Sequence, residues 1–294
     1  MKPNTPLLAF VKDLVNKQFP EYQGLDIRPI ETQGHDHHTF HLGDRLLLRM
    51  PTAAGYAPQI LKEAAWLPFL KNHLSITIPG PLHLGKPTKD YPWHWSISIF
   101  IPGKSLNKLT LSAHQKSDLA SDLAHFLKAL HKAPTSGAPL GGSHNYYRGC
   151  GLAVYDTELK QALLALTHVC DTSRILTIWE KALQSTWQKP PVWVHGDLSP
   201  GNLLLLDGKL NAVIDFGCMA IGDPACDLVM AWTFFDDPSR KLFQETVNLD
   251  PHTWTRAQAW TLWKACIQLS ELKDLSSATA QTHQHIIQKI LQTS

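Results

Sequence analysis

Two aspartates and an asparagine in the middle of the chain have the types and spacing of a site that activates a hydroxyl group beside a metal ion. Asp197 and Asn202 stand five residues apart in HGDLSPGN, and Asp215 follows after an apolar run and a turn. A carboxylate can orient and deprotonate an attacking hydroxyl, and carboxylate and amide oxygens are hard ligands for magnesium. We therefore interpret Asp197 as a base, and Asn202 and Asp215 as ligands for Mg2+.

The segments around these residues predict a hairpin that brings them together. Leu203 to Leu206 and Leu210 to Ile214 have the composition of two strands, and Asp207-Gly208 between them is a strong hairpin signal. Because a hairpin places its two ends side by side, we expect Asn202 and Asp215 to meet at one metal ion. An ordinary hairpin with solvated loop ends is the alternative.

The same stretch resembles the aminoglycoside phosphotransferase family, which includes macrolide and choline kinase-like enzymes and has a protein-kinase-like fold. The matching motifs are H-G-D-L-x-x-G-N at His195 to Asn202, I-D-F-G at Ile214 to Gly217, and G-D-P-x-x-D-L at Gly222 to Leu228. Gly196 stands where protein kinases normally carry Arg, which is similar to the small-molecule branch. The resemblance implies supporting roles around the catalytic loop for His195 and Asp227, whereas Asp223 is predicted to cap a helix beginning at Pro224.

The resemblance implies an α+β, bilobal protein-kinase-like fold with a small β-rich N-terminal lobe and a larger helical C-terminal lobe. We divide the chain into a nucleotide-covering lobe at 1–101 and a helical catalytic and acceptor-binding lobe at 102–294. The β-rich segment Ile27 to Met50 and the helical composition after Gly103 agree with that order. A nucleotide is expected in the cleft between the lobes.

Four residues of the N-terminal lobe are nucleotide-binding candidates under the resemblance. Arg49 stands where the family has a Lys that reaches the α- and β-phosphates, and a guanidinium can hold phosphate in a different geometry. Glu63 could pair with Arg49, as the Lys–Glu pair of kinases does, or could be a solvated surface residue. Phe100 and Ile101, at the end of a predicted strand Trp95 to Ile101, are where a hinge would hold the purine edge. Adenine and guanine both stay open.

A histidine-rich segment lies where a phosphate-covering loop belongs, although it lacks G-x-G-x-x-G. Its histidines are one to three residues apart, at positions His35, His37, His38 and His41. This spacing does not match the usual zinc patterns. We therefore favour loop or phosphate contacts over a metal site.

The acceptor is the least determined part. The segment His144 to Gly149 suits recognition of a polar ligand and suits equally a loop anchored by its Tyr and Arg stems. A polycationic aminoglycoside would need an acidic pocket, to which Asp236, Asp237, Glu245 and Asp250 could contribute if they converge. A macrolide, choline, an amino alcohol and a sugar derivative are alternatives. The tryptophans near the C-terminus, among them Trp260 and Trp263, are predicted to be core.

Composition narrows the class of protein. Hydrophobic residues make up 44% and charged residues 18% of the chain, which is typical of soluble globular proteins. A net charge of +2 gives no argument for nucleic acid or an anionic membrane, and no apolar run approaches the length of a membrane span. No secretion signal is evident, and five cysteines without a Cys-x-x-Cys predict reduced thiols and a cytoplasmic location.

These observations predict a magnesium-dependent small-molecule kinase. It would move the γ-phosphate of ATP or GTP to a hydroxyl of a small molecule, with an aminoglycoside-like antibiotic as one candidate, and with no nucleic-acid or membrane partner. The alternative is a nucleotide-binding pseudokinase or scaffold without transfer activity. Arg49 in place of Lys favours that alternative, whereas retention of Asp197, Asn202 and Asp215 together argues against it.

Overall fold

In this computed structural model, the described chain (residues 5–31 and 33–293, with side chains except at residues 5 and 6) folds as two units. The first unit runs to Gly103 and includes Ala212–Gly217, and the second comprises Lys104–Asn211 and the chain from Cys218 onward. The first unit combines a five-stranded sheet with two helices, and the second unit is mainly helical, so the architecture is α+β. Within the described residues, no helix combines the length and hydrophobicity that a membrane-spanning segment needs.

The first unit is an antiparallel sheet with helices packed on it. Its elements are α1 (Thr5–Gln18), β1 (Ile27–Pro29), β2 (His37–Leu42), β3 (Leu46–Pro51), α2 (Ala57–Leu70), β4 (Pro81–Gly85) and β5 (Trp95–Ile99). The strands lie in the spatial order β1-β2-β3-β5-β4. The predicted strand Trp95 to Ile101 is shorter in the structure, where β5 ends at Ile99. The Phe100 N–H continues the register of the β3–β5 pair by one bond and donates to the Arg45 carbonyl at 2.8 Å.

Alternation along β3 decides which side chains of this strand are available for chemistry. Leu48 and Met50 are buried in one hydrophobic cluster with Val11 and Leu14 of α1. Side chains alternate between the two faces of a strand, so Arg49 points to the opposite face. The helix α2 lies on that face and supplies the partner of Arg49.

The second unit is built around one long helix. Its helices are α3 (Ala113–Lys132), α4 (Asp156–Ala165), α5 (Thr172–Leu183), α6 (Met230–Thr233), α7 (Asp237–Val247), α8 (Pro251–Ser270) and α9 (Ala278–Thr293). Helix α8 packs against α4, α5, α6 and α9. Apolar residues therefore occur around most of α8, as expected for a helix that is surrounded by others.

Short strands of the second unit carry the chain to and from the acidic motifs. They are β6 (Lys104–Ser105), β7 (Val192–Val194), β8 (Leu203–Leu206), β9 (Lys209–Val213) and β10 (Ala220–Gly222). β7 pairs with β10, and β6, β8 and β9 form a second small sheet. The predicted hairpin is present: Asp207 and Gly208 both have positive φ, +51° and +79°, as a type I′ turn requires. The end of β9 belongs to the first unit, where the Val213 N–H donates to Thr77 at 3.1 Å.

Candidate active site

The loop after β7 has a backbone conformation that only glycine accepts easily. Gly196 has a φ of +82°. A β-carbon added there would lie 2.5 Å from the carbonyl oxygen of Cys218 and 3.0 Å from the β-carbon of Arg148. Both the left-handed conformation and the lack of space exclude larger residues. The structure thus gives a physical reason for Gly at the position where protein kinases have Arg.

A buried carboxylate accepts hydrogen bonds from the backbone of this loop. Asp227, at the end of the 3-10 turn Pro224–Asp227, accepts hydrogen bonds from the backbone N–H of His195 at 2.6 Å and of Gly196 at 2.8 Å. Burial raises the pKa of Asp227, and the nearby His195 and the two N–H donors oppose that rise. The geometry fits the supporting role that the resemblance implies for Asp227.

His195 is buried beneath the same loop. Its Nδ1 accepts a hydrogen bond from the backbone N–H of Asp197 at 3.2 Å. An accepting Nδ1 carries no proton, so the ring proton is assigned to Nε2. His195 therefore fixes the backbone of Asp197 instead of facing the reacting groups.

Each carboxylate oxygen of Asp197 has a polar side chain in contact with it. Lys264 of α8 donates to Oδ1 at 2.9 Å, and the Asn202 side-chain nitrogen lies 3.4 Å from Oδ2 and 2.8 Å from the Asp197 carbonyl oxygen. Burial alone would raise the pKa of Asp197, but the charge and hydrogen bond of Lys264 outweigh it, and the pKa is lowered. Asp197 is accordingly a carboxylate at neutral pH, which is the state a base requires.

The first unit holds a second charged group, centred on Arg49. Its guanidinium donates to Glu63 of α2 at 2.7 Å and to Asp215 at 3.2 Å. Burial would lower the pKa of Arg49, but these two carboxylates outweigh it and the pKa is raised. Of the two interpretations of Glu63, the ion pair is the one present, and Glu63 is buried.

Asp215 has an unusual backbone conformation for a residue other than glycine. Its φ is +66°, and its side chain is 45% exposed while paired with Arg49. Such conformations are costly and are concentrated at functional positions. Phe100 and Ile101 follow β5 in the same unit, with the Phe100 N–H already used by Arg45. Their role in holding a purine base stays a prediction.

The structure therefore groups the predicted residues within each unit. His195, Asp197, Asn202 and Asp227 share one loop network of the second unit, and Arg49, Glu63 and Asp215 share one ion-pair network of the first. The meeting of Asn202 with Asp215 at one metal ion stays a prediction. Among the described residues, no group of three or more His, Cys, Asp and Glu side chains could hold a metal by itself.

One histidine of the histidine-rich segment contacts Arg49. His37 is buried, and its Nδ1 lies 3.3 Å from a guanidinium nitrogen of Arg49. Burial and the charge of Arg49 lower the pKa of His37 to about 2. A neutral His37 can therefore accept a hydrogen bond from Arg49.

Sequence reasoning missed Lys264, which contacts the carboxylate of the catalytic loop. Lys264 lies on a helix that was predicted from its tryptophans to be core, so nothing in the local pattern marked it. Arg148 stacks on two rings of that helix, with its Cζ 4.6 Å from the centre of Trp260 and 5.2 Å from Trp263. A search for basic residues in otherwise apolar helices could have found Lys264.

The loop before Arg148 is anchored by its own polar groups. Asn145 is fully buried and donates to the carbonyls of Arg148 at 3.0 Å and Cys218 at 3.1 Å, and it accepts from the Gly142 N–H at 2.9 Å. These contacts anchor the segment through Asn145, whereas the sequence predicted anchoring by its Tyr and Arg stems, and recognition of a polar ligand by this segment stays a prediction. The bond from Asn145 to the Arg148 carbonyl fixes the backbone of Arg148, whose β-carbon lies beside Gly196.

A β-rich unit and a helical unit, with an asparagine five residues after the aspartate of the catalytic loop, define the bilobal α+β fold of the kinase-like phosphotransferases. Comparison of the sequence with family models is consistent with that class. The chain belongs to the phosphotransferase enzyme family, whose model matches residues 26–261.

Individual relatives are more distant. An aminoglycoside 3'-phosphotransferase of Escherichia coli is 28% identical over 161 residues, which are 51% of this chain and only 58% of the relative. The GDP and kanamycin complex of APH(2")-IIIa has a TM-score of 0.73 at 18% identity, covering 97% of this chain and 99% of that one. The macrolide 2'-phosphotransferase MphH from Brachybacterium faecium has a TM-score of 0.62 at 19% identity, covering 95% and 97%. Identities this low establish the fold alone.

Proposed function

We propose that this chain transfers the γ-phosphate of ATP or GTP, as the magnesium complex, to a hydroxyl group of a small molecule. The observation that carries the proposal is the environment of Asp197. Its carboxylate is ionised, contacts Asn202 and Lys264, and belongs to a loop whose backbone is bonded to the buried Asp227. Phosphoryl transfer requires a positioned acceptor and stabilised charge, with little covalent chemistry from the protein.

The residues of the chain divide the work of the reaction. The acceptor hydroxyl donates a hydrogen bond to the Asp197 carboxylate, which takes the proton as the new oxygen–phosphorus bond forms. The bond from the γ-phosphorus to the bridging oxygen breaks, and the nucleoside diphosphate leaves with that electron pair. Arg49, kept in place by Glu63, supplies a fixed positive charge for the phosphates. Phe100 and Ile101 are proposed to hold the base.

Asn202 and Asp215 each offer an oxygen atom of the kind that magnesium binds. Asn202 turns its side-chain nitrogen toward Asp197, which leaves its oxygen facing away from that contact. Asp215 is partly exposed and uses Oδ1 for Arg49. Magnesium is usually held by one or two carboxylates together with phosphate oxygens and water, so each of these residues would supply one protein ligand to an ion that arrives with the nucleotide. The ion would neutralise the charge on the phosphates.

The comparisons support this proposal in outline. The Escherichia coli relative is named an aminoglycoside 3'-phosphotransferase, and one solved relative is a complex with GDP and kanamycin. We infer a purine nucleotide and a small-molecule hydroxyl as the two substrates. We also propose a cytoplasmic location, because each of the five cysteines carries a free thiol.

A transfer screen tests the proposal. The purified protein is incubated with magnesium and either ATP or GTP and with aminoglycosides, macrolides, choline, amino alcohols and sugars, and phosphorylated product is measured. Asp197→Asn should lose transfer and acceptor-free nucleotide hydrolysis while it retains nucleotide binding. Asp171→Asn is the matched control, because Asp171 is an exposed helix cap. Nucleotide binding with hydrolysis no greater than in Asp197→Asn would favour the pseudokinase alternative.

A further inference from the structure

Lys264 donates a hydrogen bond to one oxygen of the carboxylate that is proposed to accept the proton of the acceptor hydroxyl. Its Nζ lies 2.9 Å from Oδ1 of Asp197, although the two residues are 67 positions apart. The Lys264 side chain is 28% exposed and that of Asp197 is 37% exposed, so both reach the surface on which an acceptor would bind. Lys264 also lies beyond residue 261, where the match to the family model ends.

A second cation is fixed behind the same loop. Arg148 packs against Gly196, and its guanidinium lies over Trp260, which is four residues before Lys264 and on the same face of α8. Among the described residues, Nε and Nη1 of Arg148 have no hydrogen-bond partner and are buried. Arg148 thus contributes a fixed positive charge next to Asp197.

The four acidic residues that were predicted to contribute to a pocket for a polycation each cap a helix or form an ion pair. Asp236 caps α7 and pairs with Lys116, whereas Asp250 caps α8. The remaining two candidates are each in an ion pair within α7: Asp237 with Arg240 at 2.8 Å, and Glu245 with Lys241 at 3.9 Å.

One further carboxylate lies near the tryptophan pair. Glu158 of α4 accepts a hydrogen bond from Nε1 of Trp263 at 3.0 Å. A single acid in that contact does not make the acidic surface that a polycation needs. The described side-chain hydrogen bonds to the carboxylate oxygens of Asp197 come from a cation, Lys264, and an amide, Asn202.

We infer that the acceptor is a hydroxyl compound with a neutral or anionic group beside the reacting hydroxyl, and that Lys264 excludes acceptors with an ammonium group there. The inference rests on the proposed phosphotransfer and narrows its substrate class. An ammonium group near Asp197 would have to displace Lys264 and would meet the charge of Arg148. A carboxylate, phosphate or neutral hydroxyl oxygen can instead accept hydrogen bonds from the remaining Lys264 protons.

A binding experiment tests the inference without knowledge of the natural acceptor. Kanamycin, a polycation, is titrated calorimetrically into the protein with ADP and magnesium, using wild type, Lys264→Met and Lys264→Glu. We expect the wild type to bind kanamycin too weakly to measure. Lys264→Glu should bind it at least about tenfold more tightly than the weakest affinity that the titration can detect, and the affinity of Lys264→Met should lie between those of wild type and Lys264→Glu. Lys241→Glu, in the exposed pair with Glu245, controls for the change in net charge. Equal kanamycin affinity in wild type and Lys264→Glu, including equal absence of binding, overturns the inference.

A transfer experiment separates failure of the inference from failure of the proposed function. Glucose, glucosamine and glucuronate share a skeleton and differ in charge. Any phosphate transfer by the wild type should be faster to glucose or glucuronate than to glucosamine. Lys264→Met should reduce this ratio of rates about tenfold, whereas Lys264→Arg should keep it. Preferred transfer to glucosamine or kanamycin overturns the inference and leaves the function standing. If none of them is phosphorylated, the kanamycin titration decides. Nucleotide hydrolysis no greater than in Asp197→Asn overturns both.

Discussion

Substitution of Asp227 by Asn tests whether the buried carboxylate holds the catalytic loop. The carboxylate is fully buried and accepts two backbone N–H groups, from His195 at 2.6 Å and from Gly196 at 2.8 Å. Asparagine has nearly the same volume, so packing is preserved. It offers only one oxygen to these two donors, and its NH2 group must face one of them.

The magnitude follows from this mismatch. A hydrogen bond to a charged group contributes about 1.5–3 kcal/mol, and a buried donor left without a partner costs about 1–3 kcal/mol. Removal of a buried charge offsets part of the loss, because burial disfavours the ionised form and raises the pKa of Asp227. We expect a net loss of about 2 kcal/mol in the free energy of unfolding of the second unit.

Urea denaturation of wild type and Asp227→Asn measures this loss, with transfer or nucleotide hydrolysis as the functional readout. Asp171→Asn is the matched control: Asp171 also accepts a backbone N–H, from Arg174 at 3.1 Å, but it is exposed, and Asn is an equally good helix cap. The control should be neutral. If Asp227→Asn is as stable as the control and as active as wild type, the loop does not depend on the buried carboxylate.

Three further predictions concern Gly196, Glu63 and His131. Gly196→Ala should lower the free energy of unfolding by at least about 2 kcal/mol and abolish turnover, because φ is +82° and the Cys218 carbonyl lies 2.5 Å from the added carbon; wild-type urea stability would contradict this. Glu63→Gln should lower the free energy of unfolding by about 2 kcal/mol and weaken nucleotide binding in titration calorimetry, since Arg49 keeps only Asp215 as a charged partner. The exposed Glu245→Gln is the control and should change neither quantity. His131 lies in the last turn of α3, where burial lowers its pKa to about 4. Its contribution to the free energy of unfolding is complete above pH 6.5 and declines as the pH falls toward 4, so this free energy should fall by about 2 kcal/mol more between pH 7 and pH 5 in wild type than in His131→Gln.

Features of the fold and the site that depend on neighbouring residues could be predicted from local sequence patterns. The hairpin turn at Asp207-Gly208 could be predicted because type I′ turns select these residues. The cap at Asp223 could be predicted because Asp followed by Pro suits a helix start, and Asp223 does accept from the Ala225 N–H at 3.0 Å. Each of these features depends on neighbouring residues.

Contacts between distant segments could not be read in this way. Asp223 also accepts from the buried Arg256 at 2.6 Å, and that arginine comes from α8, 33 residues later. Lys264 lies on a helix whose tryptophans indicated packing, and its ion pair with Asp197 appears only when α8 is placed beside the loop. Hydrophobic periodicity reports which face of a helix is buried, but it does not report which polar residue on that face meets a partner.

The two carboxylates proposed for catalysis have the same kind of environment, each within its own unit. Asp215 is paired with Arg49 at 3.2 Å, and Asp197 is paired with Lys264 at 2.9 Å. A carboxylate already neutralised by a fixed cation gains little from binding free magnesium. A nucleotide changes that balance, because its phosphates offer Arg49 an anionic partner and bring oxygen ligands for the metal. We therefore expect magnesium and nucleotide to bind this chain together, with each making the site of the other more favourable.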